Sequence, residues 1–398
     1  MIDADAIVLE VAGRANLIGD HTDYQDGLAL PFALEGLTLR LEGRLGGEQV
    51  QLRSALDGRA LVLSLDGHAV APAPDVGTGS RRPDGGRAPT SGAVPAVSGW
   101  GRYAAGVMRA LGEAGHALRP LSAELSSTLP VGAGLSSSAA FELAVALAVC
   151  ADELEPLELA RVCQRAETEH VGVPCGLLDQ LAIVGGEAGA ALLLDFRNLR
   201  GESLPWPPDL AVAIVHSGLT RRLDAGAYAA RRAETERAAE LLGVRVLREL
   251  GPDDIPAALH ALPDPLGQRV RHVVSENARV LRAADALRAG DHARLGTALA
   301  ASQRSLTEDF EVSTPQLDTL VGLLSMLPGA VGARMTGAGF GGCALALLRT
   351  PVDEPALRQT LEEYRRRSGR RARCWITRPG PGIVSSPDRG IAQRGLQR

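Results

Sequence analysis

Four short segments of this chain hold residue types that can do phosphate and polyol chemistry. The segment Leu129–Ala139, LPVGAGLSSSA, sets Gly132 and Gly134 ahead of three serines and an apolar helix at Ala140–Val149. Glycines let a backbone approach phosphate oxygens, and the unpaired amides at a helix start point at them with the helix dipole behind. The same letters also spell an ordinary glycine turn with a serine cap, and the stretch alone does not separate the two. The segment Gly13–Pro31, GRANLIGDHTDYQDGLALP, packs Arg14, Asp20, His21 and Asp23 into ten residues after a strand, a density of short polar side chains suited to hydrogen bonding a polyol. Ala166–Gln180, AETEHVGVPCGLLDQ, arranges two acids, a histidine and an aspartate around a Gly/Pro turn, and Gly332–Cys343, GARMTGAGFGGC, is a second glycine-rich loop.

Composition narrows what these segments can be part of. All 42 basic residues are arginine and there is no lysine. That removes a Walker A loop, a protein-kinase strand lysine and a pyridoxal-phosphate Schiff base, so phosphate chemistry here must use arginine, backbone amides and metal. A net charge of −5 gives no basic footprint for nucleic acid. The acidic start, Met-Ile-Asp-Ala-Asp, is unlike a signal peptide, and no run approaches a membrane span, so a cytoplasmic protein is expected. Five scattered cysteines (Cys150, Cys163, Cys175, Cys343, Cys374) without CxxC pairing argue for reduced thiols rather than disulfides or structural zinc.

The elements that must position these segments follow from periodicity. Alternation predicts strands at Ala6–Val11, Leu37–Leu41, Val50–Leu52 and Leu61–Leu65, then a Pro/Gly/Ser-rich insertion over 71–98. Helical spacing follows at Gly101–Ala114, Ser137–Cys150, Pro156–Glu167, Ala225–Leu242, Leu266–Arg288 and His292–Glu308. Strands are expected near Leu121–Ser126, Ala191–Leu194, Ala211–Val215, Cys343–Leu348 and Arg373–Ile376, with a helix within Glu354–Arg367 and a frayed tail after Pro379. Mixed elements without a regular βαβ repeat predict an α+β fold, and 398 residues suffice for two domains or interlocked lobes.

Taken together, the four segments resemble the GHMP kinase superfamily and, within it, the galactokinase branch. The galactokinase signature GRxNLIGEHTDYNxGxxLP runs along Gly13–Pro31, and GLSSSA, CGxxDQ and GARMTGAGFGG follow in order, with a stretch similar to SxYxxRR at Gly226–Arg232. The similarity continues through RHVVSENARVLRAADAL and SLTEDFEVSTPQLD, and covers essentially the whole chain outside the insertion and tail. It implies a two-lobed GHMP kinase fold: a ribosomal protein S5 domain 2-like N-terminal lobe over 1–205, an α/β C-terminal lobe over 206–378 and a disordered tail over 379–398.

The resemblance also implies roles. Gly132, Ala133, Gly134, Leu135, Ser136, Ser137 and Ser138 would wrap the phosphates of ATP, with Ser138 and Glu167 holding Mg²⁺. Trp100 and Tyr103 match adenine-pocket aromatics, although core packing explains that pair equally well. Asp20, His21, Thr22, Asp23, Gly176 and Tyr228 fall at sugar-contacting positions, Asp179 at the catalytic aspartate and Arg14 at the arginine beside it. The missing lysine agrees with this branch, because the mevalonate kinase branch uses lysine where galactokinases use this arginine.

The implied activity is phosphorylation of the anomeric hydroxyl of galactose by a monomeric enzyme with small-molecule partners only. The rivals are a related kinase for N-acetylgalactosamine, L-arabinose or galacturonate, and a silent galactose and ATP sensor. Asp20 stands where the family has glutamate, Ala12 where it has proline, and Gln25-Asp26 where Asn-Gly is common. A carboxylate one methylene shorter withdraws by roughly 1.5 Å, which bears on contact with the sugar's C6 hydroxyl.

Overall fold

The first strand, β1 (Ala6–Asn16), alternates inward and outward at its start and is buried on both faces from Val11 onward, so the end that carries Arg14 lies inside the molecule. It belongs to a computed structural model that describes residues 5–70, 97, 99–130, 132–219 and 225–386. The expected insertion at 71–98, Val97 apart, lies outside the described residues.

After β1 come β2 (Leu28–Ala29), β3 (Pro31–Leu45), β4 (Val50–Ser54), β5 (Ala60–Leu63), α1 (Gly101–Glu113), β6 (Leu121–Ser127) and α2 (Ser137–Val149). Then follow α3 (Pro156–Arg165), a π-helical turn at Ala166–Val171, α4 (Leu178–Val184), β7 (Ala190–Asp195), β8 (Arg200–Pro205) and β9 (Leu210–His216). The chain goes on through α5 (Ala225–Leu242), α6 (Ile255–Ala261), α7 (Leu266–Ala289), α8 (His292–Glu308) and α9 (Pro315–Ser325). It closes with β10 (Ala330–Thr336), β11 (Cys343–Arg349), α10 (Glu354–Ser368), β12 (Arg373–Thr377) and β13 (Ile383–Ser386).

Three sheets result, in the orders β13-β1-β3-β6-β4-β5, β10-β11-β9-β12 and β2-β7-β8. Among the described residues every strand pairing is antiparallel except β4 with β6. Helices and sheets are mixed without a βαβ repeat, the α+β class that the patterning predicts. The helix α2 is apolar nearly all round and almost wholly buried, as a core helix must be. It packs on β1, β3, α1, α3 and α4.

The tail expected from Pro379 is corrected in its first part. Residues 383–386 form β13, paired with Val8–Val11 of β1. Ala12 N donates to Gly382 O at 2.8 Å, and Gly382 N to Gly186 O at 3.0 Å. The reason is an open edge on β1 that β-branched Ile383 and Val384 can cover, a long-range pairing that local composition does not announce. Residues 387–398 lie outside the described residues.

Candidate active site

The candidate reacting centre lies where β1 meets the glycine loop before α2. The β1–β3 register shifts between Ala12 and Arg14, and such a bulge re-aims the side chain that follows it. Gly13 sits in the bulge, where a Cβ would lie 2.6 Å from Leu135 O; its absence lets the loop close on the strand, with Arg14 N donating to Leu135 O at 3.2 Å. The Arg14 guanidinium then spans two partners. Nε and Nη2 reach Asp179 Oδ1 at 2.8 and 2.5 Å, and Nη1 reaches Gly134 O at 2.8 Å. The other oxygen, Asp179 Oδ2, accepts from Ser136 Oγ at 2.5 Å. Arg14 is buried while the Asp179 side chain keeps 30% of its exposure, so the pair opens toward solvent on the aspartate side.

The loop has the backbone an anion needs. Gly132 and Gly134 have φ of 73° and 79°, and Ser136 holds 58° as the residue before α2 without spending its hydroxyl on a cap. The first-turn amides of α2 are thus left uncapped by Ser136, which favours the phosphate cradle over the plain serine-capped turn.

Beside this loop, the π-helical turn carries Glu167, and π turns of this kind cluster at functional sites. Ser138 and Cys175 donate to its carboxylate, and Gln180 Nε2 lies 3.4 Å from Oε2. Burial, then Asp179, pushes Glu167 up to about 7; burial and Glu167 together push the fully buried Glu142 well above the usual carboxylate range. Glu142, Glu167 and Asp179 therefore repel one another. The Glu167 carboxylate with the Ser138 hydroxyl beside it offers hard oxygen donors of the kind a divalent cation such as Mg²⁺ takes.

The sugar-signature residues divide in two. Asp23, Gly176 and Tyr228 come together beside Asp179. A Cβ on Gly176 would collide with Asp23 Oδ2, and burial followed by the charge of Asp179 pushes Asp23 up to about 6. The Tyr228 ring lies 5.5 Å from His21 and 5.8 Å from Tyr24. Asp20 and Thr22 stand on the other side of that division. Asp20, expected to reach a sugar hydroxyl, is 4% exposed; Oδ2 pairs with Arg334 and Oδ1 accepts from Gly337 N at 2.9 Å, so the carboxylate is spent inside the protein. Thr22, at 0% exposure, donates to Gly19 O and Leu28 O at 3.0 and 2.8 Å, closing the turn. His21 is also committed: a carbonyl only accepts, so Nε2 donates to Ala338 O at 3.1 Å and Nδ1 accepts from Tyr24 Oη at 3.0 Å.

Trp100, the N-cap of α1, and Tyr103, in its first turn, are partly buried against the main core, Trp100 edge-on to Phe141 at 5.8 Å. Tyr103 lies within electrostatic reach of Glu167, which places this end of α1 beside the acid cluster.

Comparison with known proteins decides the family. Residues 102–187 match the profile described as GHMP kinases N terminal domain, 283–366 that described as GHMP kinases C terminal, and 2–39 the galactokinase galactose-binding signature. The galactokinase of Roseiflexus sp. (strain RS-1) is 39% identical over 385 residues, 95% of this chain and 92% of that protein. The chain belongs to the galactokinase family. The Homo sapiens galactokinase is 37% identical over 362 residues, covering 90% of this chain and 88% of its own. A Lactococcus lactis galactokinase, solved in complex with galactose, superposes with a TM-score of 0.84 at 30% identity, over 96% of this chain and 95% of that one. A mevalonate kinase shares the fold alone, at 18% identity and a TM-score of 0.58 over 93% of this chain and 98% of that one.

Within this galactokinase-family chain, several residues at the site escape motif reading. Arg334 sits inside the quoted GARMTGAGFGG stretch, yet nothing in the local sequence names Asp20 as its partner. The Ser136 bond to Asp179 and the acid Glu142, one helical turn after Ser138, carry no signal of their own beyond residue type.

Proposed function

We propose that this galactokinase-family chain transfers the γ-phosphoryl group of ATP to the C1 hydroxyl of α-D-galactose, giving galactose 1-phosphate and ADP. The observation that carries the reading is the Arg14–Asp179 pair, tied by Ser136 and Gly134 to the same glycine loop that would cradle the phosphates. Both Arg14 bonds to Asp179 fall on Oδ1, so Oδ2 is the oxygen presented to the sugar. The C1 oxygen attacks the γ-phosphorus, the bond to the β,γ-bridging oxygen breaks, and the hydroxyl proton passes to Asp179 while ADP leaves. Arg14 holds the acceptor in line and balances charge on the transferring group. Asp23, Gly176 and Tyr228 shape the sugar side. Trp100 and Tyr103 flank the nucleotide, and Mg²⁺ held by Ser138 and Glu167 would neutralise the phosphates.

None of the described helices is long and apolar enough to cross a membrane. The reading takes the enzyme to act as a cytoplasmic monomer on small molecules, in keeping with its net charge of −5. A coupled ADP-release assay over galactose, N-acetylgalactosamine, L-arabinose and galacturonate tests the reading. Galactose is expected to be preferred, and a stronger rate with another of these sugars reassigns the substrate.

The metal assignment has its own test. Glu167→Gln is expected to raise the Mg²⁺ concentration for half-maximal rate by about tenfold or more, since a neutral amide is a poor ligand for a hard ion, while galactose affinity stays the same. An unchanged Mg²⁺ dependence in that variant removes Glu167 from the site.

A further inference from the structure

The loop between Gly19 and Leu28 is held in a conformation that it would not adopt alone. His21 and Asp26 have φ of 63° and 53°, the left-handed region that non-glycine residues visit at a cost, and such residues persist where their surroundings over-determine them. Those surroundings come largely from one helix far along the chain. On α7, Glu276 Oε1 accepts from Gly19 N at 3.0 Å and, one turn earlier, His272 Nε2 donates to Asp20 O at 3.2 Å. Asn277 Oδ1 accepts from Leu28 N at 2.8 Å, closing the loop's other end. A second layer on α8 sets these side chains: Ser302 Oγ donates to Glu276 Oε1 at 2.5 Å, and Ser305 Oγ lies 3.0 Å from His272 Nδ1. Arg279 pairs with the other Glu276 oxygen at 2.6 Å. His272 and Glu276 are 0% exposed and Asn277 5%, so none of the three can itself meet a substrate.

We propose that His272, Glu276 and Asn277 are positioning residues for sugar recognition, gripping both ends of the Gly19–Leu28 loop and so setting where Asp23 and the His21–Tyr228 wall stand against the sugar. Asp20 is part of the same device. Its carbonyl is held by His272 and its carboxylate by Arg334 and Gly337, which ties the sugar loop to the second glycine-rich loop. The inference rests on the galactose reading above.

The test compares His272→Leu with His272→Gln, whose terminal amide can present an N–H near the place of Nε2. Galactose Kd by calorimetry and both KM values are measured on the folded proteins. His272→Leu is expected to weaken galactose binding and raise galactose KM by about tenfold, roughly the worth of one buried hydrogen bond, with ATP KM unmoved. His272→Gln is expected to restore most of that loss. A folded His272→Leu with unchanged galactose Kd, or with both KM values raised together, overturns the proposal. Should His272→Leu fail to fold, Ser305→Ala, which deletes the hydroxyl between His272 Nδ1 and Asp309 Oδ2, takes its place: a weaker galactose Kd with ATP KM unmoved supports the proposal, and an unchanged Kd or both KM values raised together overturns it. Wild-type protein that does not bind galactose sinks the functional reading itself, whereas a binding wild type with unmoved variants sinks this inference alone.

Discussion

Asp179→Asn is expected to keep the fold and the galactose affinity and to lose turnover by about 10²–10⁴-fold, the span that a positioned proton acceptor commands. The geometry explains why loss of rate should come without collapse of the site. Both Arg14 bonds to Asp179 fall on Oδ1, which an asparagine carbonyl still offers, so the guanidinium need not move. The change falls on the Oδ2 side, where an amide would present hydrogens to Ser136 and to the attacking hydroxyl in place of a lone pair. Circular dichroism, galactose calorimetry and kcat on the one variant check the three parts together. A folded Asp179→Asn that turns over near the wild-type rate excludes Asp179 from the reacting centre.

Arg14→Lys is expected to cost on the order of 10²-fold in kcat, although charge is conserved. The guanidinium makes three bonds in a fixed fork, two to Asp179 and one to Gly134 O, and so joins the acceptor to the phosphate loop. A single ammonium cannot hold both ends of that span, and the half-buried Gly134 carbonyl would lose its partner. The loss should appear in kcat more than in galactose KM, because the sugar wall of Asp23 and Tyr228 does not touch Arg14 through any of these bonds. Full activity in Arg14→Lys would show that the position needs only a cation.

How much of this was legible beforehand depends on the distance over which a residue finds its partner. The helices Ala225–Leu242 and His292–Glu308 follow from apolar periodicity with the bounds that the structure has, since their signal is local. The helix Pro315–Ser325 carries a start signal that periodicity does not reach: Thr314 Oγ1 accepts from Leu317 N at 3.2 Å and Pro315 opens the first turn. β13 gave no local signal, because what makes Ile383–Ser386 a strand is an edge offered by the opposite end of the chain. The site shows the same division. The residue types at Arg14, Ser138, Glu167 and Asp179 sit in motifs and could be singled out. Asp20 and Thr22 sit in the same motif but are consumed by it, one by an arginine in β10 and the other by its own turn. Sequence shows which side chains a loop has; only the fold shows which of them the loop needs to hold itself up.

The departure at Asp20 therefore reads differently in three dimensions. The shorter carboxylate stands in an internal brace between two loops, through its bonds to Arg334 and Gly337.

The most direct test of the account is the phosphorus-31 spectrum of the product formed from galactose, Mg²⁺ and ATP. The account predicts a sugar phosphate whose phosphorus couples to the anomeric proton of α-D-galactose, appearing together with ADP in equal amount and absent with Asp179→Asn over the same interval. Phosphate at C6, or ADP accompanied only by inorganic phosphate, would contradict it.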